Sequence, residues 1–364
     1  MSDDRSSGRG MLRPEPPQVI RRDAGHVAAK PPPRPKPPRR PRRKRAWAQV
    51  ISLSLVIAVL LLCAGVLGGA LWLETSMHRQ AVLTDYPGRP APGHGTTWLL
   101  VGSDSRQGLT LEQQQALSTG GDTGNGRTDT ILLVHVPAFG SSTPTTMVSI
   151  PRDSLVPIPG YGRDKINAAF AMGGASLLAQ TVEQATGLRL DHYVEIGFGG
   201  FADVVEALGG VTVCPSAPID DPLAGIKLPA GCQRLGGGDA LGYVRSRATP
   251  RADLDRMVDQ RQFIADLLHR AATPLVWLNP WRWYSVPHAV IDALTVDRDD
   301  HVWDLARLGW SLRGPTTTLT VPIGEFTGSD VGSVVVWDHE RAAQLFDALA
   351  ADQPVPPAML GKQP

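Results

Sequence analysis

Cysteine is scarce, with three residues in 364. Cys63 lies in an apolar stretch, and neither Cys214 nor Cys232 has a second Cys or a His at ligand spacing, which argues against a zinc site. The nine histidines are scattered, and none stands at a revealing spacing from Ser103, Ser105 or Ser154. Those serines therefore read as turn or hydrogen-bonding residues and not as nucleophiles. The glycine-rich segment Gly120 to Gly126 lacks the Lys-Ser/Thr ending of a phosphate-binding P-loop and gives no sign of a nucleotide site. No internal repeat is visible. Net charge is also nearly absent, at +1, but that value hides an imbalance: residues 1–45 carry 14 Lys and Arg against 4 Asp and Glu, whereas the rest carries 22 against 31.

Between these two regions, Ala46 to Leu73 holds no charge and only Gln49, Ser52 and Ser54 as polar interruptions. It is long enough to span a bilayer, with Trp47 and Trp72 roughly 37 Å apart on a helix, suited to the two interfaces. The run Arg39-Arg40-Pro41-Arg42-Arg43-Lys44-Arg45 abuts it, so the positive-inside rule puts residues 1–45 in the cytoplasm and everything after Glu74 outside. A cleavable signal peptide is the weaker reading, because the apolar stretch is too long and the basic leader longer still. The tail has ten prolines and almost no aromatic or β-branched residues, so it is expected to be disordered and to rest against anionic lipid. It shows no helix-turn-helix pattern, and no nucleic-acid partner is expected. In an exported region, Cys214 and Cys232 are expected to form a disulfide.

The domain plan is a tail at 1–45, a membrane helix at 46–73, a Pro/Gly-rich spacer at 74–95, a folded domain at 96–350 and a short tail at 351–364. Buried-strand patterns occur at Thr97 to Val101, Thr130 to Val136, Thr145 to Ile150, His192 to Ile196, Val211 to Cys214, Thr317 to Pro322 and Ser333 to Trp337. Helical patterns occur at Leu111 to Leu117, Gly174 to Thr186, Phe201 to Leu208, Leu254 to Ala272, His288 to Leu294, His301 to Leu312 and His339 to Ala350. Strands interleaved with helices predict an α/β domain, a central mixed β-sheet covered by helices on both faces.

Arginines and aspartates recur where apolar runs give way to turns: Asp104, Arg127 with Asp129, Arg152 with Asp153, Arg245 with Arg247, then Asp253, Arg256 and Gln260. In a strand, i and i+2 share a face, which aligns Arg127 with Asp129 and, if that segment is extended, Arg245 with Arg247. Asp253, Arg256 and Gln260, at i, i+3 and i+7, make one stripe on a helix. Arginine forks match phosphate oxygens bidentately, and carboxylates tolerate that anion only with a divalent cation between them. Asp104 and Asp129 are therefore candidate ligands of Mg²⁺ or Mn²⁺. Taken singly, each pair is an ordinary surface ion pair, but five such groups in one domain point to a pocket for a phosphorylated ligand.

The ordered motifs carry a resemblance. Val101-Gly-Ser-Asp-Ser-Arg106, Gly126-Arg-Thr-Asp-Thr130, Ser149-Ile-Pro-Arg-Asp-Ser154, Lys165-Ile-Asn-Ala-Ala169, Gly173-Gly174, Gly209-Gly210 before Val211, and Tyr243-Val-Arg-Ser-Arg247 with Asp253, Arg256 and Gln260 resemble the LytR-CpsA-Psr family from about Leu99 to Leu268. The resemblance implies a membrane-anchored, extracytoplasmic phosphotransferase that moves a glycopolymer from a polyprenyl pyrophosphate carrier onto peptidoglycan through a phosphodiester bond. By the same resemblance Arg127, Arg152, Arg245, Arg247 and Arg256 contact the pyrophosphate, with Gln260 beside them, and Asp104 and Asp129 hold the metal. Asp153 and Asp253 orient arginines or assist the acceptor, and Lys165 either touches phosphate or pairs within the fold. The chain departs from the family pattern at Asp259-Gln260-Arg261 and in the long loop Gln107 to Gly126. Two alternatives use the same residues: a hydrolase of the lipid-linked substrate, and a non-catalytic carrier-binding module. Phe170, Leu177, Leu178, Val182, Phe198, Phe201, Val204 and Leu208 fit a prenyl-lined cavity, but ordinary core is the preferred reading for each.

Overall fold

The structure is a computed structural model that describes residues 42–104, 110–117, 126, 128–246 and 281–360, together with Phe263, Asp266, Leu267, Arg270, Thr273 and Asn279. The described residues divide into two units at Leu60 and Leu61. The uncharged stretch is helical: α1 runs over Arg42–Ser76, and from Trp47 onward it is long and apolar enough to cross a membrane. Its Leu, Ile and Val side chains from Val50 to Leu71 stand mostly exposed, as a lipid-facing helix requires.

The helices that follow are α2 (Leu111–Ala116), α3 (Ile166–Thr186), α4 (Phe198–Ala207), α5 (Gly237–Arg245), α6 (Arg282–Ala293), α7 (Val302–Ser311) and α8 (His339–Ala350). The strands are β1 (His78–Gln80), β2 (Thr96–Ser103), β3 (Thr128–Val136), β4 (Thr145–Ile150), β5 (Leu155–Ile158), β6 (Gly162–Lys165), β7 (His192–Ile196), β8 (Val211–Val213), β9 (Ile219–Asp221), β10 (Ile226–Leu228), β11 (Gln233–Leu235), β12 (Leu294–Asp297), β13 (Thr316–Thr320), β14 (Ile323–Ser329) and β15 (Gly332–Trp337).

A seven-stranded sheet in the order β1-β12-β7-β2-β3-β4-β13 forms the centre. It is mixed: β7 and β13 pair in parallel with β2 and β4, while β3 is antiparallel to both its neighbours. The central strands are apolar on both faces because both faces are covered. Leu99, Val101, Ile131 and Leu133 point into a core shared with α3 and α8. Trp98, Leu132 and Val134 point the other way, to Leu308 of α7 and Ile291 of α6. A lateral layer made of α4, α5 and the hairpins β8–β11 and β9–β10 has its own core around Val205, Ile226 and Phe263. The α/β reading with helices on both faces holds.

The spacer expected at 74–95 differs. Its strand β1 pairs in parallel with β12 at the sheet edge, and Val82 is buried in the main core. Asp297 of β12 is the physical reason, because its Oδ1 accepts from the backbone amides of Val82 at 2.7 Å and Leu83 at 2.8 Å. Farther on, Arg89 donates to Glu183 of α3 at 3.0 Å, with both side chains buried. Prolines and glycines in this stretch shape a packed segment and not a free tether. The helix expected at Leu254 to Ala272 lies largely outside the described residues. Cys214 and Cys232 are bridged, as expected, across the step that follows the β8–β11 pairing.

Candidate functional site

Three strands that run the same way end together. Asp104 follows β2, Arg152 and Asp153 follow β4, and Phe198 follows β7, while antiparallel β3 begins at that same end with Thr128 and Asp129. Sites of α/β sheets form beyond such carboxyl ends. The register shifts here, with Gly102 opposite Thr130 but Ser103 opposite Thr128, which leaves Asp129 of β3 as the extra, unpaired residue of a bulge. Gly102 permits the close pairing there, since a Cβ on it would lie 3.1 Å from the Thr130 Cβ.

The register of β3 with β4, carried two residues past the last pair at Ile131 and Ile150, sets Asp129 across from Arg152. Their side chains meet, the Arg152 Nη1 donating to the Asp129 Oδ1 at 2.5 Å. Arg152 also faces Asp153 at 3.4 Å through Nε, and Asp153 in turn takes the Lys165 Nζ at 2.9 Å. Four charged groups of alternating sign thus form one half-exposed chain from β3 to the start of α3. The backbone beneath is fixed: the Arg152 carbonyl accepts from Asn167 at 3.2 Å, Ser154 from Ile166 at 2.8 Å, and Asp153 from Val335 at 2.9 Å. Ser154 is buried and its Oγ accepts from the Trp337 indole at 2.8 Å, a structural role that suits the reading of this serine as a hydrogen-bonding residue.

Arg245 differs from the extended placement: it ends helix α5, whose cap Ser246 donates to Asp221 at 3.0 Å. Consequently the i, i+2 argument does not apply to Arg245. Its guanidinium donates to the Leu117 carbonyl at 3.2 Å and lies over the Phe198 ring, 4.9 Å from the centroid. Because Phe198 begins just past β7, this arginine is held at the same end of the sheet as Asp104 and Arg152. Arg127, Arg247, Asp253, Arg256 and Gln260 lie outside the described residues.

Of the two readings of Lys165, the structure displays the ion pair. Sequence reasoning missed the supports of Arg245: Leu117 and Phe198 read as apolar filler. Ser103, expected as a turn or hydrogen-bonding residue, instead closes strand β2 opposite Thr128, which sequence reasoning missed; the two stand one residue before Asp104 and Asp129. Their hydroxyls are buried without a hydrogen-bond partner among the described residues. Two unpaired hydroxyls beside two carboxylates make an oxygen-rich set suited to a hard cation or its bound water. Among the described residues no cluster of three His, Cys, Asp or Glu occurs. Leu177 borders a cavity of about 250 Å³ lined also by Val82, Tyr86 and Glu183. Phe170, Leu178 and Val182 are main-core residues, as the ordinary-core reading holds.

Comparison with known proteins bears on the family and the fold. The LytR_cpsA_psr family model matches residues 78–350. The chain is 47% identical over 340 residues to the probable cell wall biosynthesis protein LcpB of Corynebacterium glutamicum, covering 93% of this chain and 78% of that protein. It is 36% identical over 304 residues to the cell wall biosynthesis protein LcpA of the same organism, covering 74% of this chain and 58% of that protein. The fold is similar to that of a LytR-Csp2A-Psr enzyme from Actinomyces oris, with a TM-score of 0.58 at 24% identity over 76% of this chain and 96% of that one. With three quarters of its length inside the family model, and a relative 47% identical over most of both chains, the chain belongs to the LytR-CpsA-Psr family.

Proposed function

We propose that this chain is a membrane-anchored phosphotransferase of the cell surface, with α1 as its span, residues 1–45 cytoplasmic and the domain outside. Its substrate is a glycopolymer on a polyprenyl pyrophosphate carrier, and its acceptor is peptidoglycan. The observation that carries the reading is the Asp129–Arg152–Asp153–Lys165 chain beyond β3 and β4, in a family whose relatives are named for cell wall biosynthesis. The basic flank of the span and the disulfide support the orientation.

An acceptor hydroxyl attacks the sugar-proximal phosphorus in line, and polyprenyl phosphate leaves. Arg152 and Arg245, with Arg127, Arg247 and Arg256, bind the pyrophosphate and stabilise the charge that grows on its oxygens. Asp129 and Asp153 flank Arg152, so its fork is aimed before the substrate arrives. Asp153 is the base candidate for the acceptor proton, with Lys165 holding it in place. Asp104 and Asp129 would hold Mg²⁺ or Mn²⁺, which offsets the repulsion between carboxylates and phosphates and adds Lewis-acid stabilisation. No covalent enzyme intermediate is required.

The test is the purified full chain in detergent, given metal, polyprenyl pyrophosphate-linked glycan and peptidoglycan fragments. A covalent glycan–peptidoglycan product is expected. Free phosphorylated glycan would mark a hydrolase, and no turnover with retained substrate a binding module. Arg152→Ala is expected to slow transfer by about 10²- to 10³-fold, the scale for losing one charge-stabilising donor. An unchanged rate would sink the site assignment.

A further inference from the structure

A second cationic cluster lies in the lateral layer. At the Gly209-Gly210 turn that ends α4, both glycines have positive φ, 74° and 85°. Where a Cβ on Gly209 would sit, the Nη2 of Arg282 is 2.5 Å away and that of Arg234 is 2.9 Å away, so the two guanidiniums lie within about 5.4 Å of each other. Arg270 joins them, donating through Nε to the Leu208 carbonyl at 3.3 Å. Burial, then the charges of Arg234 and Arg282, make protonation of Arg270 harder than usual. Among the described residues no carboxylate pairs with any of the three. Like charges held this close call for an anion.

The surroundings say which anion. Arg282 opens α6, and its neighbours Trp281, Trp283 and Tyr284 are 83%, 64% and 65% exposed. Tyr284 stacks on Trp72, ring centroids 5.9 Å apart, and His288 meets the same indole at 5.4 Å. Trp72 is the indole that closes the apolar span. The next helix adds to the same face: the ring of His301, at the start of α7, contacts Glu74 at 2.7 Å and stacks on Trp303. Trp303, Arg307 and Trp310 follow at i, i+4 and i+7 on one exposed stripe, with Arg313 over the Trp310 ring. Exposed tryptophans interleaved with arginines, continuous with the end of a membrane helix, match the polar–apolar boundary of a bilayer.

We propose that this face docks on the phospholipid leaflet from which α1 emerges. Arg234, Arg270 and Arg282 take a headgroup phosphate, and Trp281, Trp283, Trp303 and Trp310 lie in the interfacial layer. The proposal rests on α1 being a membrane span, and it concerns a surface apart from the phosphotransfer residues. Aromatic faces also stack on sugars, so a wall glycan is the competing occupant.

The experiment uses the full chain in nanodiscs on a Cys63→Ser background, where the remaining cysteines are bridged. Trp283→Cys, Trp303→Cys, Tyr161→Cys and Leu60→Cys each carry an environment-sensitive fluorophore. Lipids with a nitroxide near the headgroup are expected to quench the labels at 283 and 303 but not the one on the β5–β6 turn at 161. A mid-chain nitroxide quenches the label at 60. In discs containing phosphatidylglycerol, Arg234→Gln with Arg282→Gln is expected to reduce quenching at 303 several-fold. Labels at 283 and 303 as unquenched as that at 161, with the one at 60 quenched, would overturn the docking and leave the span intact. No quenching at 60 would remove the span and the docking with it. Soluble glycan fragments shifting the emission at 303 where lipid nitroxides do not would give the face to the wall instead. Quenching indifferent to the double arginine variant would remove the arginines from the proposal.

Discussion

Arg89 and Glu183 form the most deeply buried ion pair described, their side chains 8% and 2% exposed, and Glu183 also accepts from the Leu190 amide at 2.9 Å. Arg89→Met leaves that carboxylate buried without its cation, and unfolding in denaturant is expected to show a loss of about 3 kcal/mol. A second residue-level effect concerns pH. Burial, then the charge of Asp292, pushes the Asp203 carboxyl up. A folded-state value above the unfolded one means that folding favours the proton, so stability is lost as pH rises from about 4 through the folded value. Asp203→Asn removes that loss. Thermal unfolding should therefore show the variant gaining on the parent as pH rises from 4 to 7, with little difference at the acid end. Neither position stood out in the sequence, because a pairing across 94 residues leaves no local pattern. Arg152, Asp153 and Asp129, by contrast, were legible: each stands where an apolar strand meets a turn, and strand period and register do the rest.

At the level of elements, apolar runs such as Leu99 to Val101 and Ile131 to Val136 announced the central strands, and α8 falls where its apolar spacing placed it. Short hairpins such as β5–β6 and β9–β10 escaped, since three or four residues carry too little period. Helix α3 begins eight residues before the expected start at Gly174. Gly174 is a kink with φ 68° inside the helix, and the turns before it pack against the main core through Ile166, Ala169 and Phe170. The disulfide is the element whose worth can be read most directly. It closes a separation of 18 residues around β9 and β10, and the chain-entropy model sets its contribution near 3 kcal/mol. Because β8 and β11 already pair beside it, the double variant Cys214→Ser with Cys232→Ser should still fold, with a melting temperature lowered by a smaller amount than that figure implies. Calorimetry of the oxidised, reduced and variant chains would check this.

At the scale of the whole molecule, the sheet gathers one set of loops at the carboxyl ends of β2, β4 and β7, and the metal proposed there would be held by the Asp104 and Asp129 carboxylates together with substrate phosphates. Chelation is therefore expected to abolish transfer, and Mg²⁺ or Mn²⁺ to restore it, while the melting temperature of the substrate-free chain stays put. A large fall in melting temperature on chelation would instead mark a structural ion. The other whole-molecule feature is the junction at Met77, a single buried residue between the end of α1 and the first residue of β1. A catalytic domain on a long disordered leash could sweep a wide volume of wall in search of acceptors. Here the last turn of α1 runs through one buried residue into the edge strand of the sheet, so on the membrane-span reading no such leash separates domain and leaflet, and the acceptor strand must come to it.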